Sequence, residues 1–272
     1  MTADSLYQQI RGQLAYLKLP AAAEALPGVL DEARVENLGA SAFLARLLTH
    51  EVQATEARRK ELLDRFARLP APWTIDDFDF DAQPGVDRKL VEELCSLRFL
   101  EDATNVLLIG PPGVGKTMLA VCLARKSIEA GYRTYYTTAS DLAARCHRAA
   151  IEGRWSTIMR FFANPRLLII DEVGYLPMAQ EAAAALFQVV SQRYLKGSIC
   201  LTTNLSMTNW GKVFADDQMV AAAMLDRLLH RSVVLNIQGD SFRMRQHRAR
   251  AKNLQAATGH RSPLGPTPEA LR

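Results

Sequence analysis

The stretch Asn105–Thr117, NVLLIGPPGVGKT, constrains the fold of this chain more than any other. Four apolar residues, Val106 to Ile109, read as a buried strand and run straight into Gly110, Pro111, Pro112, Gly113, Val114, Gly115, Lys116 and Thr117. The pattern G-x-x-x-x-G-K-T, with a strand before it and a helix after it, is a loop whose backbone N–H groups turn inward on phosphate oxygens. Glycine is needed where a Cβ would obstruct that turn. The helix opening near Lys116, with Met118 in its first turn, aims its positive end at the same anion. Lys116 supplies a point charge for the β- and γ-phosphates, and Thr117 a hydroxyl for Mg²⁺. Gly110 to Met118 are therefore the candidate nucleotide-binding residues, with ATP and Mg²⁺ as the expected cofactors.

From residue 104 strand and helix alternate, as in a parallel sheet with crossover helices. Strands are expected over 105–109, 133–138, 166–171, 198–203 and 232–237. Helices are expected over 116–129, 140–151, 154–162, 180–194, 217–230 and 241–253. The fold class is α/β, a phosphate-loop parallel sheet with helices on both faces, preceded by a small helical domain. That domain covers 1–69, where Phe43, Leu44, Leu47, Leu48 and Val52 recur at helical spacing and Pro20 suits the first turn of a second helix. Acidic and basic side chains balance there, so its polar face reads equally as a solvated surface or a partner surface. Residues 70–85, PAPWTIDDFDFDAQPG, combine prolines, four aspartates and three aromatics and read as an extended acidic linker. One amphipathic helix is expected from Gly85 to Leu100, opening the main domain at 86–256. Residues 257–272, rich in Pro and Gly, are expected to be a disordered tail.

Leu167 to Ile170 form a continuous apolar run ending in Asp171 and Glu172, as a central parallel strand delivering carboxylates to the ligand edge of the sheet would. Asp171, with Thr117, is the expected metal-holding residue, acting through a water. Glu172 is placed to polarise the water that attacks the γ-phosphate. Asn204, closing the run Thr202-Thr203-Asn204, is placed to orient that water; a plain turn-forming asparagine is the alternative. Magnesium-dependent ATP hydrolysis is the expected activity.

The strings GPPGVGKT, LLIIDE, TTN, LDRLLHRS and GDSFRMR resemble the AAA+ ATPases over about 70–256. More narrowly, they resemble the branch that holds IstB-type transposition helper proteins and DnaC-type helicase loaders. The W-x-x-x-D-F-D-F segment, Trp73 to Phe80, favours the IstB side. By this resemblance Arg227, in LDRL, is the finger that enters a neighbouring subunit's ATP site. Arg243, in DSFR, senses the γ-phosphate from the same chain, although Phe242 stands where the family often has Tyr. Two helices between the second and third strands resemble the extra helix that this branch turns toward DNA. Arg145, Arg148, Arg154 and Arg160 lie there against only Asp141 and Glu152, a cluster suited to phosphate contact. The basic stretch from Arg243 to Lys252 could share that role.

The function implied is an ATP-dependent, DNA-binding regulator of transposition. Its expected partners are double-stranded DNA, a transposase and further copies of itself assembled with ATP. A DnaC-like replicative helicase loader is the alternative. A small-molecule kinase would need an acceptor motif that the chain does not display, and Glu172 argues against a non-hydrolysing scaffold. The net charge of +4 adds little. Four cysteines stand singly without a C-x-x-C pair. No basic start precedes an apolar block, and no apolar run approaches the length of a membrane span, so a cytoplasmic location without membrane partners is expected.

Overall fold

The computed structural model describes residues 3–175, 179–214, 217–239, 241, 242 and 244. Two compact units divide the chain, the first ending at Phe66 and the second starting at Ala67.

The first unit is built from α1 (Ala3–Tyr16), α2 (Pro20–Val35) and α3 (Ala40–Ala67). Pro20 opens α2, where its missing N–H would have had no intrahelical partner. Ala22, Leu26 and Val29 share one face of α2 and bury against Leu47 of α3, with Tyr7, Ile10 and Leu14 packed around them. Buried Glu51 accepts the Ala22 N–H at 3.0 Å, one of the donors that the first turn of α2 leaves without a helical acceptor. Arg58 donates to the same carboxylate at 2.8 Å. These hydrogen bonds hold the Glu51 carboxyl below its ordinary value.

The second unit carries five parallel strands, β1 (Asn105–Ile109), β2 (Thr134–Thr138), β3 (Leu167–Val173), β4 (Ser198–Thr203) and β5 (Ser232–Asn236). They lie side by side in the order β2-β3-β4-β1-β5. Leu107 of β1 is paired with Leu201 and Val234, and every residue of β1 and β4 is buried. Burial of both sheet faces explains why Val106–Ile109 of β1 and Leu167–Ile170 of β3 read as unbroken apolar runs instead of alternating ones. Among the described residues, the α-helices of this unit are α4 (Arg88–Cys95), α5 (Arg98–Glu101), α6 (Lys116–Glu129), α7 (Ala139–Ile151), α8 (Trp155–Ala163), α9 (Gln180–Arg193) and α10 (Gln218–Leu229). Among the described residues, no helix is long and apolar enough to cross a membrane.

Three expectations are revised. The single helix expected over 85–100 is broken at Leu97, whose φ of +65° starts a new turn and sends Phe99 and Leu100 into the core. The third strand runs on to Val173 through a register shift, with Glu172 at φ +61°. The segment 70–85, expected as an extended linker, instead packs against α6 and the phosphate loop. Its 3₁₀ turn Ile75–Asp77 is closed by Thr74, and Phe78 is buried in the main core with Ile75 and Phe80 against it. Burying one such side chain is worth roughly 1.5–3 kcal/mol, and Asp76, Asp77, Asp79 and Asp81 all stay exposed while it is buried. The helix expected over 241–253, apart from residues 241, 242 and 244, lies outside the described residues. Arg243 and the tail from 257 lie there too.

One buried cation ties the layers together. Arg193 is 1% exposed and donates to the carbonyls of Phe162, Ala163, Pro165, Arg166 and Ser198 at 2.8–3.3 Å. Burial, with Arg166 nearby, pushes its guanidinium down to about 9, so it stays charged at neutral pH. The fork of donors joins the end of α8 to the starts of β3 and β4.

Candidate nucleotide site

β1 ends at Ile109 and hands the chain to the loop, while α6 starts at Lys116. Gly113 and Gly115 have φ of +82° and +100°. A Cβ on Gly113 would stand 2.2 Å from Ser241 Oγ, and one on Gly115 2.6 Å from the Phe78 ring, so both the turn and its close neighbours require glycine. Phe242 N–H donates to Gly113 O at 2.9 Å, which fastens the chain beyond β5 to the loop. Val114 is fully buried beneath it. Lys116 Nζ donates to the carbonyls of Gly110 and Pro111 at 2.7 and 2.8 Å, which holds the ammonium within the loop.

A cavity of about 710 Å³ opens against this loop. One wall is Gly113 to Met118, and Phe242 adds an aromatic edge. The other wall is the supposed linker, with Trp73, Asp77, Phe78 and Gln83. Arg125 of α6 anchors this wall by donating to Trp73 O at 3.2 Å. Asp77 does not face the cavity as a free anion: Thr74 N–H and Oγ1 both donate to it at 2.8 Å, which lowers its pKa.

The carboxylates meet the loop from β3. Asp171 is 2% exposed, and its Oδ1 accepts the Thr117 hydroxyl at 3.1 Å and the Thr202 hydroxyl from β4. Its Oδ2 accepts Tyr136 OH from β2 at 2.6 Å. Burial first, and this hydrogen bond second, raise the Tyr136 pKa. Glu172 projects exposed at the strand's end, its N–H donating to Thr202 Oγ1 at 3.0 Å. Thr202 thus holds both carboxylate-bearing residues at once. Asn204 follows β4, and its Oδ1 is buried with no hydrogen-bond partner among the described residues.

The other candidates lie apart from this cluster in their contacts. Arg227, in the last turn of α10, donates to Ala223 O at 3.2 Å and sits 4.7 Å over the Phe187 ring of α9. Arg145, Arg148 and Arg154 line a second cavity of about 280 Å³ between α7 and α8, with Phe161 in its wall. Arg145 is pinned there, donating to Tyr135 OH and lying 4.4 Å over the Phe161 ring. Arg154 pairs with Glu152. Arg160 does not line this cavity and turns back to Ser156 O at 3.4 Å.

Sequence reasoning missed Tyr136, Thr202 as a bridge, and the Trp73 and Phe78 wall. Thr202 was visible in the TTN run. Nothing in the pattern of β2 marks Tyr136, because its role depends on strand order. The aromatics of 70–85 were a usable signal, since a solvated linker has no need of three.

The site can be set beside known proteins. The insertion sequence IS5376 protein of Geobacillus stearothermophilus, named for ATP binding, is 43% identical over 232 residues, covering 85% of this chain and 92% of that one. The corresponding insertion sequence IS21 protein of Pseudomonas aeruginosa is 41% identical, covering 86% and 88%. In fold, the chain is similar to AMPPCP-bound DnaA from Aquifex aeolicus, with a TM-score of 0.52 and 20% identity over 69% of this chain and 57% of that one. DnaI gives a TM-score of 0.53 at 15% identity, over 61% and 91%. The IstB-like ATP binding protein family matches residues 12–251, and with a phosphate loop bonded to a strand-end carboxylate on a five-stranded parallel sheet, the chain belongs to that family.

Proposed function

We propose that this protein is a cytoplasmic, ATP-hydrolysing regulator of transposition. In this reading it binds ATP with Mg²⁺, assembles with further copies of itself on double-stranded DNA, and recruits or stimulates a transposase. One observation carries the chemistry: the hydrogen bond from Thr117 to Asp171 joins the phosphate loop to the strand that ends in Glu172. Relatives named for insertion sequences support the biological half of the reading.

The residues present fit Mg²⁺. Thr117 and Asp171 offer only oxygen, 3.1 Å apart, and Mg²⁺ prefers few protein oxygens beside waters and phosphates. Among the described residues no cluster of three or more His, Cys, Asp or Glu competes as a metal site. Mg²⁺ held there would neutralise charge developing on the phosphates. Lys116 and the loop N–H groups bind the phosphates, and Trp73, Phe78, Met118 and Phe242 give a purine ring apolar surface. Glu172 takes up the water's proton, and the unpartnered Asn204 oxygen accepts a hydrogen bond from that water. Arg243 from the same chain and Arg227 from a neighbouring copy steady the transition-state charge. Arg145, Arg148 and Arg154 meet DNA phosphates.

The test uses Glu172→Gln. It should bind ATP as the parent does while phosphate release falls roughly 10²–10⁴-fold, and it should hold labelled duplex DNA in an ATP-dependent complex read by anisotropy. Parental turnover in Glu172→Gln refutes the catalytic assignment. Failure of both proteins to bind duplex with any nucleotide refutes the DNA-binding half.

A further inference from the structure

Donors on both oxygens of a buried carboxylate satisfy it and fix its orientation. At Asp171 three hydroxyls do so, and they are not equivalent. Thr117 and Thr202 share Oδ1, while Tyr136 reaches Oδ2 alone, at 2.6 Å. Thr117 and Thr202 are also engaged elsewhere. Thr117 lies at the head of α6 in the phosphate loop, and Thr202 accepts the Glu172 N–H. Tyr136 has no second hydrogen-bonding partner among the described residues. Its ring packs against the main core, and its hydroxyl goes to Asp171.

The register explains why a tyrosine serves here. Thr138 of β2 is the residue paired with Asp171, and Tyr136 is paired with Ile169 one step back on the same face. A threonine or serine at position 136 would fall short; the phenol ring spans the offset. The carboxylate is thereby braced from both neighbouring strands, β4 through Thr202 and β2 through Tyr136.

The geometry points to Tyr136 as a positioning residue of the divalent-cation site. Its hydroxyl fixes the Asp171 carboxylate so that Oδ1 stays turned toward Thr117 when the Thr117 hydroxyl serves the cation instead. This rests on reading Thr117 and Asp171 as the residues that hold Mg²⁺. Partners that orient a ligating group commonly account for about 10–100-fold in metal affinity.

The experiment compares the full-length wild type with Tyr136→Phe, which removes one oxygen and keeps the ring. A fluorescent ATP analogue is titrated in EDTA and across a Mg²⁺ series, and the melting temperature is recorded for each protein. Tyr136→Phe should match the wild type in EDTA yet need about tenfold more Mg²⁺ for the same gain in binding. Its ATPase should show the same rightward Mg²⁺ shift with little loss at saturation. Thr202→Val, which also releases the Glu172 N–H, should lose hydrolysis even at saturating Mg²⁺. A wild-type Mg²⁺ curve in Tyr136→Phe overturns the proposal. So does equal weakening in EDTA and in Mg²⁺ with a lowered melting temperature, since that describes a purely structural residue. Wild-type binding of the analogue that ignores Mg²⁺ would instead overturn the reading of Thr117 and Asp171, and this inference with it.

Discussion

Glu172 holds a backbone angle that L-residues avoid, φ +61°, while its side chain is exposed at the end of β3. That conformation costs a residue with a Cβ roughly 1–2 kcal/mol, while its N–H bonds Thr202 and the next residue, Val173, is buried. The register shift between Ile170 and Val173 is the device that turns the side chain outward. Backbone strain of this kind clusters at functional sites, in keeping with the role proposed for Glu172. Glu172→Gly should therefore be more stable than Glu172→Ala by about 1 kcal/mol, read from urea unfolding, while neither hydrolyses ATP. An alanine variant as stable as the glycine one would show that the angle carries no strain. The identity of Glu172 could be read from its place after an apolar run. Its strained angle could not, because that angle follows from how β3 meets β4.

At the scale of elements, the pair α7–α8 and the pair α2–α3 each carry a testable charge. In α7–α8, Arg145 is engaged by Tyr135 and Phe161, so removing it would also disturb packing. Arg148 and Arg154 are the cleaner probes, being exposed around the same cavity. With Arg148→Ala/Arg154→Ala, the slope of log affinity for duplex DNA against log salt should fall by about two units, at roughly 0.9 per lost phosphate contact. An unchanged slope would move the DNA surface elsewhere, Arg145 and Arg160 being the remaining members of the cluster. In α2–α3, Glu51 has its carboxyl lowered by the Ala22 N–H and by Arg58. A depressed folded-state pKa contributes stability above the unfolded value, and that stability is lost as pH falls through the folded value. The melting-temperature advantage of wild type over Glu51→Gln should thus be full at pH 7, begin to fall near the ordinary carboxylate value of about 4.3, and disappear only once the pH is below the lowered folded-state value. An advantage that persists unchanged at pH 3 would assign it to shape instead of charge.

For the whole molecule, the question is what one chain lacks. The described contacts of Arg227 are with Ala223 and Phe187, on α10 and α9, not with the phosphate loop. It is half-exposed on the last turn of its helix, as the proposed role toward a second copy requires. Arg227→Ala should bind ATP normally and lose hydrolysis by about 10³-fold or more, the usual scale for an arginine finger. Mixing it with Glu172→Gln should restore part of the activity, since one chain brings an intact site and the other an intact finger. Mixed assemblies that form yet stay inactive at every ratio would rule out a finger acting between copies.

The sequence by itself determined the α/β alternation, the phosphate loop, and the identities of Lys116, Thr117, Asp171 and Glu172. Each of these is written in local order: an apolar run, glycines at fixed spacing, then charge at a strand's end. It also supplied the crowding of arginines between β2 and β3. Tertiary structure alone decided that Tyr136 meets Asp171, because β2 neighbours β3 only through strand order. It decided that Trp73 and Phe78 wall the cavity beside the phosphate loop, since three aromatics among aspartates can be solvated or buried until a core is there to receive them. And it decided that Arg193 is an internal tie, because a lone arginine ending a helix looks like surface charge until five carbonyls from separate stretches of the chain converge on it. Local pattern encodes what each residue can do; distances across the sheet select what it does.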